Sequence, residues 1–308
     1  MIITASRRTD IPAFYSAWFL NRLKDGYALA PNPRNSQQLG RVELSPRIVD
    51  CIVFWSKNPA PMLDRFREIE NLGYPFIVHF TLTPYGNEIE SGLPPKKIIL
   101  KTFIELAGRI GPQRVIWRYD PIIVDGRFSA MWHAEQFAAL CEILHPYAHR
   151  CVVSFVDPYK SIAKFFRGVT HEEMRSVAAG LSRVADEYGI ALSTCAEKID
   201  LDEFGIGRGA CVDKKHIEQV IGSRLDVKTD ANQREMCLCA EAVDLGAYDT
   251  CPHGCMYCYA VSSPETAAHG LAAHRPSAPM LTGYPTGAEI VTDRTKGSRK
   301  ATELCLYI

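Results

Sequence analysis

The chain has 308 residues, 47% hydrophobic and 23% charged, which is enough apolar material for a full core and excludes a disordered chain. Its 35 Lys and Arg balance its 35 Asp and Glu, so a protein living mainly on phosphate contacts is disfavoured. No apolar run reaches the roughly 18 residues of a membrane span, and MIITASRRTD lacks signal-peptide order, so the expectation is a cytoplasmic protein with no membrane partner.

In chain order, six short apolar, β-branched runs read as strands: MIITAS (1–6), DCIVFWS (50–56), PFIVHFTLT (75–83), RVIWRYD (114–120), CVVSFVD (151–157) and IALSTCA (190–196). Nearly continuous apolar character marks parallel strands covered on both faces. Between them the apolar spacing predicts helices over 13–24, 61–73, 96–111, 131–147 and 170–189, the last opening on the capping-box pair Thr170 and Glu173. Six strand-then-helix units argue for an α/β fold. No G-x-G-x-x-G follows the first strand, which removes the usual nucleotide-binding, doubly wound alternative. The expectation is a partial (β/α)6 TIM-like barrel over residues 1–200, with a Cys-rich region over 201–308 packed on its mouth. In that region GIGRGA (205–210) reads as a Gly-rich turn, 213–222 as one short helix, and the stretch from 262 onward as loop.

Eleven cysteines in a reducing compartment point to metal ligation or redox chemistry before disulfides. The sharpest motif is Cys251-Pro-His-Gly-Cys255-Met-Tyr-Cys258, a C-x3-C-x2-C spacing. Three thiolates this close on one loop suit three irons of a [4Fe–4S] cube and leave the fourth corner open to an exchangeable ligand. The other reading of the same thiols is a structural zinc knuckle. Cys195, Cys211, Cys237 and Cys239 form a second set, fit for an auxiliary cluster or a structural zinc. Alternatively Cys195 and Cys211 are small buried hydrophobes, as Cys51, Cys141 and Cys151 are expected to be. Cys305, in the tail, suggests nothing.

The loop CPHGCMYCYA resembles that of the radical S-adenosylmethionine (SAM) enzymes, C-x3-C-x-aromatic-C, with Cys251, Cys255, Tyr257 and Cys258 matching place for place. It is similar to the branch that includes spore photoproduct lyase. With ASRRTDIPAF, VFWSKNP, WRYDP and NQR, the chain also resembles a bacterial domain-of-unknown-function family whose cluster motif lies near the C-terminus. Two features depart from the typical pattern: the cysteine loop does not follow the first strand, and SKNP (56–59) stands where Gly-Gly-Glu is usual. The resemblance implies reductive cleavage of SAM, a hydrogen-abstracting 5′-deoxyadenosyl radical, and a reductant such as flavodoxin or ferredoxin.

Chemistry on parallel α/β folds gathers at the C-terminal ends of strands. Those positions hold Arg7, Arg8 and Asp10; Ser56, Lys57 and Asn58; Thr81 and Thr83; Arg118 and Asp120; Ser154 and Asp157; and Glu197. Arg118, Asp120 and Lys57 are the candidate catalytic residues, and Arg7, Ser56, Asn58, Glu197 and Tyr257 the candidates to bind cofactor. The competing account makes Arg7, Asp10, Arg118 and Asp120 structural ion pairs. His79 reads as a hydrogen-bonded core imidazole, and His253 as a group that contacts or tunes the cluster. The leading function is a radical SAM enzyme acting on an unidentified substrate. The alternative is a nucleic-acid-binding or repair protein with a structural metal module. A zinc- or manganese-dependent hydrolase is disfavoured because few of the nine His fall at strand ends.

Overall fold

The computed structural model describes residues 1–33 and 35–301. Cys305 lies outside them. In chain order the strands are β1 (Ile2–Ala5), β2 (Tyr27–Asn32), β3 (Asn35–Glu43), β4 (Cys51–Ser56), β5 (Phe76–Thr81), β6 (Val115–Ile122), β7 (Arg150–Phe155), β8 (Ala191–Cys195), β9 (Gly207–Gly209), β10 (Val243–Asp244) and β11 (Ile290–Asp293). The helices are α1 (Ile11–Phe14), α2 (Ser16–Asp25), α3 (Leu63–Asn71), α4 (Lys96–Ile110), α5 (Ala130–Leu144), α6 (His171–Tyr188), α7 (Lys214–Ile221) and α8 (Pro264–Ala273).

The main sheet has eight strands in the order β10-β1-β4-β5-β6-β7-β8-β9. Every pairing in it is parallel. All six expected strands are present and adjacent in sequence order. Among the described residues the sheet is open, with β10 and β9 as its two edges, so the α/β class holds and a closed TIM-like ring is not formed. A second, three-stranded sheet joins the β2–β3 hairpin to β11.

Alternation along each strand separates two cores. Ile3 and Ala5, Ile52 and Phe54, Phe76 and Val78, Trp117 and Tyr119, and Cys151 and Val153 join the larger one. It also takes Phe19 and Leu23 of α2, Phe66 of α3, Phe103 and Leu106 of α4, Phe137 of α5 and Leu181 of α6. These helices thus share one face, unlike the two-sided cover of a doubly wound sheet. Their intervening partners, Ile2, Cys51, Val53, Ile77, Ile116 and Val152, meet Cys211, Val212, Ile217, Leu225, Cys239 and Ala240, so residues 211–240 cover the opposite face.

Four local expectations need correction. The single helix over 13–24 is two, broken at Tyr15, with Asp10 capping the first turn through the Ala13 N–H. GIGRGA contains the edge strand β9, where small residues fit beside β8. Residues 264–273 form a helix rather than loop, because Ser263 and Thr266 make a capping box and Pro264 occupies its first turn. A hairpin occupies 27–43, where no strand is expected. The capping box of Thr170 and Glu173 is present as the spacing predicts. Among the described residues no helix is long and apolar enough to cross a membrane.

Candidate functional site

The cysteine loop reaches the C-terminal edge of the sheet through β10, which pairs with β1 in the register Ile3↔Val243 and Thr4↔Asp244. Asp244 then fixes the turn leaving β1. Its carboxylate accepts from Thr4 Oγ1 and Ser6 Oγ, both at 3.0 Å, from the Arg7 N–H at 3.2 Å and from the Gly246 N–H at 2.8 Å. Tyr15 donates to the Thr250 carbonyl, and Tyr259 to the Arg7 carbonyl at 2.9 Å. The loop therefore sits beside the first strand in space although it is distant in sequence.

The segment after β5 forms its other wall. Glu90 and Cys255 make an antiparallel bridge, and the Met256 N–H donates to the Ile89 carbonyl at 2.9 Å. The Gly92 N–H donates to the His253 carbonyl at 2.8 Å. A Cβ on Gly92 would stand 2.6 Å from that oxygen, so only glycine allows the two backbones to approach. Gly254, at φ +64°, turns the chain between the first two thiols.

Beneath the loop lies a buried ionic network. Glu90, 1% exposed, accepts from Lys57 Nζ at 2.8 Å and from Thr83 Oγ1 at 2.8 Å, and also pairs with Lys96 and the Tyr257 hydroxyl. Lys57 Nζ donates in addition to Tyr257 Oη at 2.6 Å. Burial alone would raise the Glu90 pKa, but the two lysines outweigh it and hold the carboxyl at about 2. Burial likewise opposes the charge on Lys57, and Glu90 and Cys255 reverse that effect and raise its pKa. Tyr257, the aromatic residue of the motif, thus anchors the loop to Glu90. Asp10 makes a second anchor, accepting from His253 Nε2 at 2.8 Å and from the Lys57 N–H at 2.8 Å. His253 accordingly faces Asp10 rather than standing free.

The three motif thiols are half-buried, and burial raises the pKa of each, with Cys258 adding to the rise at Cys251 and Cys255. Burial pushes Cys255 up to about 12, with Lys57 acting in the opposite sense. Backbone N–H groups point at the other two: that of His253 at Cys251, and those of Ala260 (3.4 Å) and Val261 at Cys258.

The second cysteine set also converges. Cys195 Sγ lies 2.7 Å from Cys211 Sγ, which takes a hydrogen bond from Arg118 Nη1 at 2.8 Å. Cys239 contacts Cys211 on one side and Cys237 on the other, and the Val212 N–H donates to its sulfur at 3.4 Å. Contacts from Cys195 and Cys239, together with Arg118, draw the Cys211 pKa well below the ordinary thiol range. Burial opposes the charge on Arg7, but the field of Cys239, Cys211, Asp244 and Cys237 outweighs it and raises its pKa, and the guanidinium lies over the Trp55 ring at 5.6 Å. Trp55 in turn stacks on His79, whose Nε2 donates to the Cys211 carbonyl at 2.7 Å. His79 is the bonded core imidazole expected, and burial holds its pKa at about 3. Among the described residues, no three His, Cys, Asp or Glu side chains stand in ligating geometry around one point.

The remaining strand-end residues fall into separate roles. Arg118 pairs with Asp120, the ion pair of the structural account, whereas Arg7 and Asp10 have other partners. Ser56 accepts from the Asn58 N–H at 3.1 Å, and Asn58 from the Ala60 N–H at 3.4 Å, so both shape the turn after β4. Glu197 accepts from Ser154 Oγ at 2.7 Å and the Phe155 N–H at 2.9 Å, and burial raises its pKa. It lines a cleft of about 430 Å³ with Asp157, Tyr159, Lys198, Arg234 and Met236. Tyr159 joins the cleft to the cysteine loop by packing on Tyr259 at 5.5 Å. Cys51, Cys141 and Cys151 are fully buried core residues as expected. Glu90 and Lys96 are the site residues that the strand-end rule missed, because Glu90 lies well beyond β5 in the long connection to α4 and Lys96 is the first residue of that helix.

No curated protein matches the chain. Among solved structures, a candidate alpha-L-fucosidase from Bacteroides thetaiotaomicron is similar at 12% identity, over 64% of this chain and 76% of that one, with a TM-score of 0.22, too slight a likeness to bear on the fold. The family described as "Domain of unknown function (DUF1848)" matches residues 2–260, including every strand of the main sheet and all three motif cysteines, and the chain belongs to that family.

Proposed function

We propose that Cys251, Cys255 and Cys258 hold a [4Fe–4S] cluster with one open corner, and that the protein is a radical SAM enzyme. The carrying observation is the placement of a C-x3-C-x2-C loop at the C-terminal edge of a parallel sheet, clamped from both sides. The donor set fits the group. Three thiols share one loop, backbone N–H groups approach two of the sulfurs, and Lys57 supplies a cation beside Cys255. Three ligands of a cube each bind a different iron, so they need not meet at the single point a lone ion demands. When bound, the cluster supplies the electron that cleaves SAM to methionine and a 5′-deoxyadenosyl radical.

The chain's own residues do the holding and shielding. Glu90 fixes Lys57 and Tyr257, Asp10 fixes His253, and together they keep the loop from swinging toward solvent. The neighbouring cleft, with Glu197, Asp157 and Arg234 on its walls, is the space we assign to the substrate. Arg234 and Asp157 pair across it, so an incoming polar group can exchange with either partner.

The test is anaerobic reconstitution with iron and sulfide, followed by dithionite and SAM. The expected result is a brown protein that forms 5′-deoxyadenosine, with both colour and product lost in Cys251→Ala, Cys255→Ala and Cys258→Ala. Intact SAM after reduction of a fully loaded protein would remove this reading.

A further inference from the structure

We infer that Cys195, Cys211, Cys237 and Cys239 form a second, mononuclear metal site, a tetrathiolate for a zinc-like divalent ion, independent of the motif loop. The four sulfurs come from three places: the end of β8, the residue two beyond β9, and the strap before β10. Nothing local in the sequence requires them to meet, yet they form a continuous chain of contacts from Cys195 through Cys211 and Cys239 to Cys237.

Separation decides between one ion and a cluster. Two thiolates on a tetrahedral zinc with bonds of about 2.3 Å stand about 3.8 Å apart, and those on separate irons of a cube stand farther. The four sulfurs do not stand around one point as they lie; to share an ion, those of Cys195 and Cys211, now at 2.7 Å, must part by about 1 Å and Cys237 and Cys239 must turn toward them, a side-chain adjustment. Cys237 and Cys239, two residues apart, contact one another and can serve the same ion.

Charge points the same way. Four thiolates bring four negative charges into a region where three of the four cysteines are buried. Arg118, which Asp120 also engages, and Arg7, which Asp244 also engages, return only part of that charge. A divalent cation adds two further positive charges where buried charge is tolerated only when it is balanced. Arg7 Nε is buried without a hydrogen-bond partner, an orphan that a sulfur bearing full negative charge would satisfy.

The test uses the full chain carrying Cys251→Ala, Cys255→Ala and Cys258→Ala, so that only the second set remains. The expected result is one zinc per chain and, on exchange, the visible spectrum of cobalt in a four-sulfur tetrahedron. Adding Cys237→Ser, at the half-exposed position, should weaken binding by roughly 100-fold with the far-ultraviolet circular dichroism unchanged. In the unsubstituted protein, mass spectrometry should find Cys195, Cys211, Cys237 and Cys239 shielded from alkylation until a chelator is added. The inference is overturned by a Cys195–Cys211 disulfide after anaerobic purification, by the absence of stoichiometric metal, or by four irons and four sulfides in the triply substituted chain.

Discussion

Replacing Glu90 by Gln tests the network under the cysteine loop most directly. The amide keeps the shape of the side chain and removes the charge that faces Lys57 and Lys96. A carboxyl held at about 2 in the fold and near 4.5 when unfolded contributes on the order of 3 kcal/mol at neutral pH. Lys57 and Lys96 keep 15% and 28% exposure, and water relieves part of their loss, so Glu90→Gln should cost about 2–3 kcal/mol. The sign of the pH dependence follows from the depressed pKa. This stabilisation is complete above about pH 4.5 and fades as pH falls toward 2, while the glutamine variant has none to lose. At pH 3.5 the difference between the two proteins should therefore be smaller by about 1.4 kcal/mol than at pH 7. Urea unfolding followed by circular dichroism at both pH values measures it. A difference below about 1 kcal/mol at pH 7, or one that does not narrow at pH 3.5, would refute the assignment of Glu90 as the charged centre of the network.

Three further perturbations probe the supports of the loop. Gly92→Ala places a methyl against the His253 carbonyl and should push the loop off its seat at a cost of about 1–3 kcal/mol, read as lower iron uptake and faster proteolysis near residue 254. Tyr257→Phe leaves Glu90 and Lys57 each short of one partner, and a loss of about 1–2 kcal/mol in urea unfolding is expected with the cysteines untouched. Asp10→Ala removes a helix cap as well as the partners of His253 and the Lys57 N–H, so it should cost more than the roughly 1 kcal/mol of a cap alone, measured the same way.

The central strands were legible because strands buried on both faces must be apolar along their whole length, as CIVFWS of β4 and FIVHFT of β5 are. The edge strands β9 and β10 carry no such mark. They have three and two residues, and their partners decide their conformation. Helix α8 hid for a related reason: it buries only Ala267, so its apolar periodicity is faint although its capping box stands in plain view. The motif cysteines announced themselves by spacing, whereas Glu90 looks like any acid in a polar connection until the loop from residue 251 closes over it. The partners of the second cysteine set were hidden too. Arg7 and Arg118 were visible as strand-end charges, but only the crossing of residues 211–240 over the sheet brings the sulfurs to them.

The pairing of β10 with β1 joins residues about 240 positions apart, which orders the birth of the molecule. A ribosome adding about 5–20 residues per second leaves the outer side of β1 bare for more than ten seconds before its neighbour emerges. During that interval the nascent protein carries an unprotected sheet margin, open to stray pairing or to a chaperone. Glu90, Lys57 and Asp10 are all synthesised before the motif cysteines, so the landing place precedes the segment that docks on it. Translation that stops short of residue 251 therefore yields a chain in which Asp10 lacks His253 and both Lys57 and Glu90 lack Tyr257, a loss that no later event in that chain can repair.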